Sequence, residues 1–446
     1  MSRAALLAVL LAVVFAALYA AIYMYTSSAP PSGASPTPTV ATAPPERCGE
    51  VENAIIEVYN TSRFPEYVVE KVVKSLSQYF PSDSRPVFCT LPWNHSMLRG
   101  RVLRLYPSIV VKASSLPKAL EEFVAERIGG DLYVLSYSAT AQLAISSGVP
   151  LEFTKSAEAI LVNGTTPYSS IPLLSSSARK SLVLFLEVLA AARITRVSIA
   201  LASEYPWLGT YPSVVLRSSE DLAKGVPHLV REHGVYVVNR SLAVQLASVL
   251  GEIVGRRVFA EVREEPPLVG VELSHGSPRV VVGLYLDAHC PYCARLVTES
   301  LPGIMDLYEK GEVSLVVSLG VGGGDAEAQA AVQCYYAVTR NATGYLELLR
   351  RVFQFLLQNH RQVGLSDVLA MARGLSPGRA GDVEACVKSE GLAMVSRAAQ
   401  AFREINSGGT PSIVLWNPSR KRGLVIVGFV TGDELRRAVL YVEGGR

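Results

Sequence analysis

Residues 280–293 read VVVGLYLDAHCPYC, and this stretch decides the fold. Val280 to Leu286 is a short apolar run rich in β-branched residues, the pattern of a buried strand. Cys290-Pro291-Tyr292-Cys293 follows, and Ala294 to Lys310 then carries Val297, Leu301, Ile304 and Leu307 at helical spacing. A cysteine at the start of a helix meets unpaired backbone N–H groups and the helix dipole, which favour its thiolate. The second cysteine, one turn on, is placed to attack a mixed disulfide formed by the first. That is thiol–disulfide exchange chemistry. Half of a zinc site is the alternative for a lone CxxC, but no second CxxC or HxxxH is present to complete it. No cofactor and no metal are expected.

A second signal lies far along the chain, where Gly408-Gly409-Thr410-Pro411 precedes another apolar strand, Ser412 to Trp416. The stretch Tyr285-Leu286-Asp287-Ala288-His289-Cys290-Pro291-Tyr292-Cys293, the following Leu301-Pro302, and Gly409-Thr410-Pro411 occur in the order that resembles the DsbA-like thiol:disulfide oxidoreductases. CPYC by itself also resembles glutaredoxin, but the interval from Cys293 to Pro411 is far longer than that fold needs. Four helices are expected within it, at Ala326 to Val338, Tyr345 to Gln358, Ser366 to Arg373 and Leu392 to Ile405. They lie between a second strand, Val313 to Leu319, and the proline-led one. A hairpin into Gly423 to Val430 and a closing helix follow, with Thr431 and Glu434 spaced as a capping box.

The resemblance covers residues 278 to 446. It implies a thioredoxin-like fold with a helical insertion, in which Cys290 is the exposed nucleophile and Cys293 resolves. It also implies a cis-proline at Pro411, with Thr410 offering backbone groups to an extended substrate. His289, if protonated, would favour the Cys290 thiolate, and Asp287 would relay protons; a surface histidine and a turn aspartate are the plainer readings.

Ala4 to Tyr25 carries no charge and as a helix would span about 33 Å, enough to cross a bilayer. It lacks a clear small-residue cleavage site, so an uncleaved anchor is expected rather than a signal peptide. Ser27 to Pro45 is uncharged and dense in Pro, Ser and Thr, the composition of an extended stalk. Everything after it would be extracytoplasmic. Asn-X-Ser/Thr sequons at Asn60, Asn94, Asn163, Asn239 and Asn341 are compatible with that placement.

The chain has 446 residues and a formal charge of only +3, with no clustered basic face, so nucleic acid is not an expected partner. Of its six cysteines, Cys290 and Cys293 form the active pair. Position makes Cys334 with Cys386 and Cys48 with Cys89 the simplest structural disulfides. Each would contribute about 4 kcal/mol through the entropy of the loop that it closes. Four buried thiols are the alternative.

Between Cys48 and Gly270 the sequence repeats. Tyr106-Pro107-Ser108-Ile109-Val110-Val111 recurs as Tyr211-Pro212-Ser213-Val214-Val215-Leu216, and Gln142-Leu143-Ala144 as Gln245-Leu246-Ala247. The copies stand roughly a hundred residues apart, the size of a domain. Their starts echo the catalytic segment: Ile55 to Tyr59 leads into Phe64-Pro65-Glu66-Tyr67, and Ala159 to Val162 into Thr166-Pro167-Tyr168-Ser169.

The expected architecture is therefore α/β. Residues 1–26 form an anchor or signal, 27–46 a linker, 47–157 and 158–270 two repeated α/β modules readable as thioredoxin-like units without a CxxC, and 271–446 the catalytic domain. The expected activity is extracytoplasmic disulfide formation or reshuffling in cysteine-containing client proteins, with recycling by a membrane redox partner. A client-binding chaperone with a secondary redox site, and a metal-delivery protein using the CxxC as ligands, are the alternatives.

Overall fold

The computed structural model describes residues 45–444, apart from 83, 172–175, 323–324 and 360. The apolar run Ala4–Tyr25 and the stalk up to residue 44 lie outside the described residues. Among the described residues, no helix is long and apolar enough to cross a membrane.

Among the described residues three segments follow one another along the chain, each built around one main sheet, and the first also holds a separate two-stranded sheet. The first is built from β1 (Ala54–Tyr59), α1 (Glu66–Ser77), β2 (Val87–Pro92), β3 (Leu105–Tyr106), β4 (Ser108–Lys112), β5 (Val124–Ile128), β6 (Leu132–Leu135), α2 (Tyr137–Ser146) and β7 (Glu152–Phe153). The second contains β8 (Ser156–Asn163), α3 (Ser176–Ala190), β9 (Arg193–Leu201), β10 (Thr210–Tyr211), β11 (Ser213–Arg217), β12 (Leu229–Glu232), β13 (Val235–Val238), α4 (Ala243–Ile253) and β14 (Ala260–Val262). The strand orders are β2-β1-β4-β6-β5 and β9-β8-β11-β13-β12, the same arrangement twice. In each, the first strand runs parallel to the second and antiparallel to the proline-led one. The Tyr106–Pro107 and Tyr211–Pro212 peptides are both cis.

The third segment comprises β15 (Val271–Leu273), β16 (Val280–Leu286), α5 (Pro291–Arg295), α6 (Met305–Glu309), β17 (Val313–Leu319), α7 (Ala326–Thr339), α8 (Ala342–Asn359), α9 (Leu365–Leu375), α10 (Ala380–Cys386), α11 (Leu392–Ile405), β18 (Ser412–Asn417), β19 (Arg422–Val427) and α12 (Gly432–Glu443). β16 pairs in parallel with β17 and antiparallel with β18, which pairs antiparallel with β19. All seven residues of β17 are buried, and in β16 only Val281 is partly exposed. Their branched side chains fill the core between sheet and helices, each fully buried one contributing about 1.5–3 kcal/mol.

Two expectations need correction. The helix foreseen from Ala294 to Lys310 is not regular: a wide π turn at Leu296–Ser300 and a 3-10 turn at Leu301–Ile304 separate α5 from α6. Pro302 has no N–H for a helical bond, and its ring crowds the preceding turn. Val297, Leu301, Ile304 and Leu307 are nonetheless all buried.

The division at 270/271 does not mark the edge of a sheet. The third sheet has the order β10-β14-β19-β18-β16-β17-β15, so two of its strands come from the second repeat. β14 pairs with β19 through Ala260–Val425, Glu261–Leu424 and Val262–Gly423. In the first repeat the corresponding β7 pairs only with β3. β19 leaves its outer edge open to β14, whereas β6 and β13 are flanked by β5 and β12. The division at 157/158 likewise falls inside β8.

Candidate active site

Cys290 caps the N-terminus of α5. Its sulfur receives the Cys293 N–H at 3.4 Å, and its own N–H donates to the Asp287 carbonyl at 3.1 Å. Pro291 at the first helical position gives up a hydrogen bond that a helix start would leave unmade in any case. Cys290 is partly exposed and Cys293 fully buried beneath it, both as free thiols. The Thr410–Pro411 peptide is cis, and the Thr410 carbonyl oxygen stands 3.5 Å from the Cys290 sulfur. Four residues expected at the site from sequence, Cys290, Cys293, Thr410 and Pro411, are thus brought together from opposite ends of the segment.

The environment makes the two thiols unequal. Hydrogen bonding from the Cys293 side chain, helped by Thr410 and by the backbone N–H groups of Cys293 and Tyr292, draws Cys290 down to about 6 against the cost of burial. Burial, reinforced by the same Cys290 bond, pushes the Cys293 thiol far up. At neutral pH one sulfur is a half-exposed thiolate and the other a buried thiol. Beside them Tyr292 is 59% exposed, and the Arg295 guanidinium lies over the Phe429 ring at 4.1 Å.

Asp287 and His289 hold the shape of the loop. The Asp287 carboxylate accepts the His289 N–H at 2.7 Å, and the Asp287 N–H points to the Cys293 sulfur at 3.5 Å. The His289 ring sits between Asp287 Oδ1, 3.4 Å from Nδ1, and the Val363 carbonyl, 3.2 Å from Nε2. Both side chains are largely buried, so the exposed histidine of the plainer sequence reading is not what the structure has.

Gln329 on α7 was not singled out in the sequence. Its Oε1 accepts the Ala288 N–H at 3.2 Å, tying the insertion to the loop that carries Cys290. Gln333, one turn on, donates to the Leu319 carbonyl at the end of β17. Two glutamines four apart in an alanine-rich helix were the signal available in the sequence. The insertion is braced by a Cys334–Cys386 disulfide, and a Cys48–Cys89 disulfide ties the start of the described chain to β2.

The corresponding loops of the repeats carry no thiols. In Thr166-Pro167-Tyr168-Ser169 the Thr166 hydroxyl takes the capping position and accepts the Ser169 N–H at 2.9 Å. That loop is covered: Tyr168 stacks on Phe259 at 5.1 Å, and the Ser169 hydroxyl donates to Glu261 at 2.8 Å. In the first repeat Glu152, which takes the place of Glu261, accepts the N–H groups of Thr61 and Ser62 instead.

Residues 273–417 match the family model described as thioredoxin. No curated protein matches the chain. Among solved structures, the chain is similar to oxidised BdbD from Bacillus subtilis, at 18% identity over 41% of this chain and 100% of that one, with a TM-score of 0.34. It is also similar to the catalytic domain of Proteus mirabilis ScsC, at 16% identity over 41% and 93% with a TM-score of 0.32. A further similar structure is the thiol-disulfide exchange protein α-DsbA2 from Wolbachia pipientis, at 15% identity over 38% and 86% with a TM-score of 0.31. The thioredoxin match belongs to residues 273–417, and the solved structures that the chain resembles, over about two fifths of its length, are DsbA- and ScsC-like thiol–disulfide oxidoreductases.

Proposed function

We propose that this protein is an extracytoplasmic thiol:disulfide oxidoreductase that forms or reshuffles disulfides in cysteine-containing client proteins. The observation that carries the reading is the inequality of the two sulfurs: Cys290 half-exposed and drawn down to about 6, Cys293 buried and pushed up. An attacking thiol must be ionised and accessible, while a resolving thiol needs neither until the mixed disulfide exists. The Cys290 thiolate attacks one sulfur of a client disulfide, forming a mixed disulfide and expelling the other client sulfur as thiolate. In reshuffling a different client thiolate then displaces Cys290 and closes a new client disulfide, and in net reduction Cys293 completes the exchange. Cys293 loses its proton and attacks the Cys290 sulfur. The second client thiolate leaves, and the pair is now oxidised at the expense of the client disulfide. Run backwards, the same steps oxidise a client dithiol and return Cys290 as thiolate. A stabilised Cys290 thiolate favours the reduced enzyme, which makes the oxidised enzyme a better oxidant.

The two bonded cysteine pairs support an oxidising compartment. The uncharged Ala4–Tyr25 run would hold the chain to the membrane. Residues 47–157 and 158–270 are read as thioredoxin-like units that have lost their thiols, supported by a strand order that repeats the β17-β16-β18-β19 order of the third sheet, with one extra edge strand each.

The test is a pair of single-cysteine variants. Cys293→Ala should accumulate reductant-sensitive mixed disulfides with clients, and Cys290→Ala should neither trap nor turn over. Equal trapping by both, or by neither, sinks the reading. Stoichiometric zinc or copper lost equally from both variants would favour metal delivery, and client binding that survives both would favour a chaperone.

A further inference from the structure

The second repeat is attached to the third segment at one particular place, the elements that carry Thr410 and Pro411. On one side, Val244 and Ala247 of α4 share a buried apolar cluster with Val414, Trp416 and Val425 of β18 and β19 and with Ala401 and Ile405 of α11. The Asn406 side chain, at the end of α11, donates to the Ser241 carbonyl just before α4. Gly408 has φ +82°, and a β-carbon there would stand 3.0 Å from Nε2 of Gln245. Gln245 is only 5% exposed, so its amide is a wall behind the turn that enters Thr410. On the other side, Arg257 donates from Nη2 to the Val427 carbonyl at 3.1 Å and faces Glu434 at 3.7 Å. The next residue, Gly428, donates its N–H to the Pro411 carbonyl at 2.8 Å. Between these contacts β14 is hydrogen-bonded to β19.

We infer that the second repeat is a working part of the client-binding edge: Gln245 and Arg257 are positioning residues that hold the Thr410–Pro411 segment in place opposite Cys290. This rests on the proposal that the segment receives the client strand. From within the third segment, the turn Ser407–Thr410 is held by two hydroxyl bonds, Ser407 with Ser412 and Ser412 to the Gly409 carbonyl, both at 2.6 Å. Any remaining freedom of a binding edge costs affinity by having to be ordered on association. Contacts from the second repeat remove that cost before the client arrives. Neither residue touches the sulfurs, so their effect belongs to binding and not to thiolate formation. The loop Thr166–Ser169 serves the same attachment: Tyr168 meets Tyr441 of α12 edge-on at 6.1 Å, and the Tyr441 hydroxyl donates to the Thr165 carbonyl just before the loop at 3.5 Å. The thiol-free site of this repeat has become a joint.

The test uses the full chain with Gln245→Ala and Arg257→Ala, each compared with its conservative partner, Gln245→Asn and Arg257→Lys. Arg257 is partly exposed, so its replacement separates loop positioning from folding. Three quantities are read: amide hydrogen exchange at Gly409, Thr410 and Gly428, steady-state KM and kcat with a peptide disulfide, and the rate at which iodoacetamide labels Cys290. In Arg257→Ala exchange at the three amides and KM should each rise roughly fivefold, about the worth of one hydrogen bond. In Gln245→Ala, which removes only the packing wall, both should rise in the same direction by a smaller factor, with kcat and labelling unchanged in each variant. Lysine at 257 should recover most of the loss. Unchanged exchange and unchanged KM overturn the inference, as does a labelling rate that falls in step with KM. If the wild-type protein turns over no peptide disulfide, the oxidoreductase reading fails, and exchange at the three amides still decides whether the second repeat holds the loop.

Discussion

The Thr410 carbonyl oxygen and the Cys290 sulfur lie 3.5 Å apart although 120 positions separate them in the chain. Antiparallel pairing of β18 with β16 makes that approach: Ser412 stands opposite Tyr285, so the residues just before β18 and just after β16 emerge at the same sheet end. In the proposed function, this is where a client held as an extended strand along Thr410 would meet the sulfur.

The first prediction concerns pH. The labelling rate of Cys290 in the reduced protein should follow a titration with a midpoint of about 6, and Cys293 should remain unlabelled at neutral pH. The folded pKa is lowered, so between about 6 and the ordinary thiol value of 9.0 the unfolded chain binds more protons at this site. Stability of the reduced protein should therefore rise through that window, and the Cys290 contribution should be lost as pH falls through 6. Above it, the raised Cys293 acts in the opposite sense, because only the unfolded chain ionises there. Denaturant melts of reduced protein at several pH values check this; a midpoint near 9 for Cys290 labelling would contradict it.

Gln329→Met keeps the side-chain volume but removes the acceptor for the buried Ala288 N–H. A loss of about 1–3 kcal/mol is expected, the cost of orphaning a buried donor. Chemical denaturation measures it. A change below experimental error would mean that the loop before Cys290 does not depend on the insertion.

The disulfides are predicted to act on stability without taking part in turnover. Replacing Cys334 and Cys386 together by Ala, or Cys48 and Cys89 together, should each cost about 2–4 kcal/mol. Trapping by Cys293→Ala in the same background should persist. Loss of trapping in the Cys334/Cys386 variant would make that pair a redox relay.

Arg104 joins the two repeats. It is 3% exposed and donates to the carbonyls of Leu222 at 2.9 Å, Lys224 at 2.6 Å and Ala190 at 3.1 Å. Arg104→Met should lower stability by more than about 2 kcal/mol, since three carbonyls lose a charged donor together. Limited proteolysis should then cut between the repeats before it cuts elsewhere. An unchanged melt and cleavage pattern would show that the shared apolar core suffices.

Local pattern alone determined much of this protein. β16 and β17 have the bounds read from their β-branched runs, and α11 spans Leu392–Ile405 as its periodicity required. Each of these elements declares itself within its own residues. The CxxC between strand and helix, the proline before Ser412 and the duplication from Tyr106 to Tyr211 were legible for the same reason. Long-range geometry decided the rest. β14 is three residues long, too short for any periodicity, and only the open edge of β19 makes it part of the third sheet. Gln329, Gln245 and Arg104 are ordinary polar residues in the sequence; burial against a backbone group from a distant element gives each its role. The inequality of Cys290 and Cys293 belongs partly to each level. Spacing puts both sulfurs on one helical turn, but the tertiary structure makes them unequal: hydrogen bonds converging on Cys290 favour its thiolate, and burial keeps Cys293 protonated, because desolvation penalises charge where the fold excludes water.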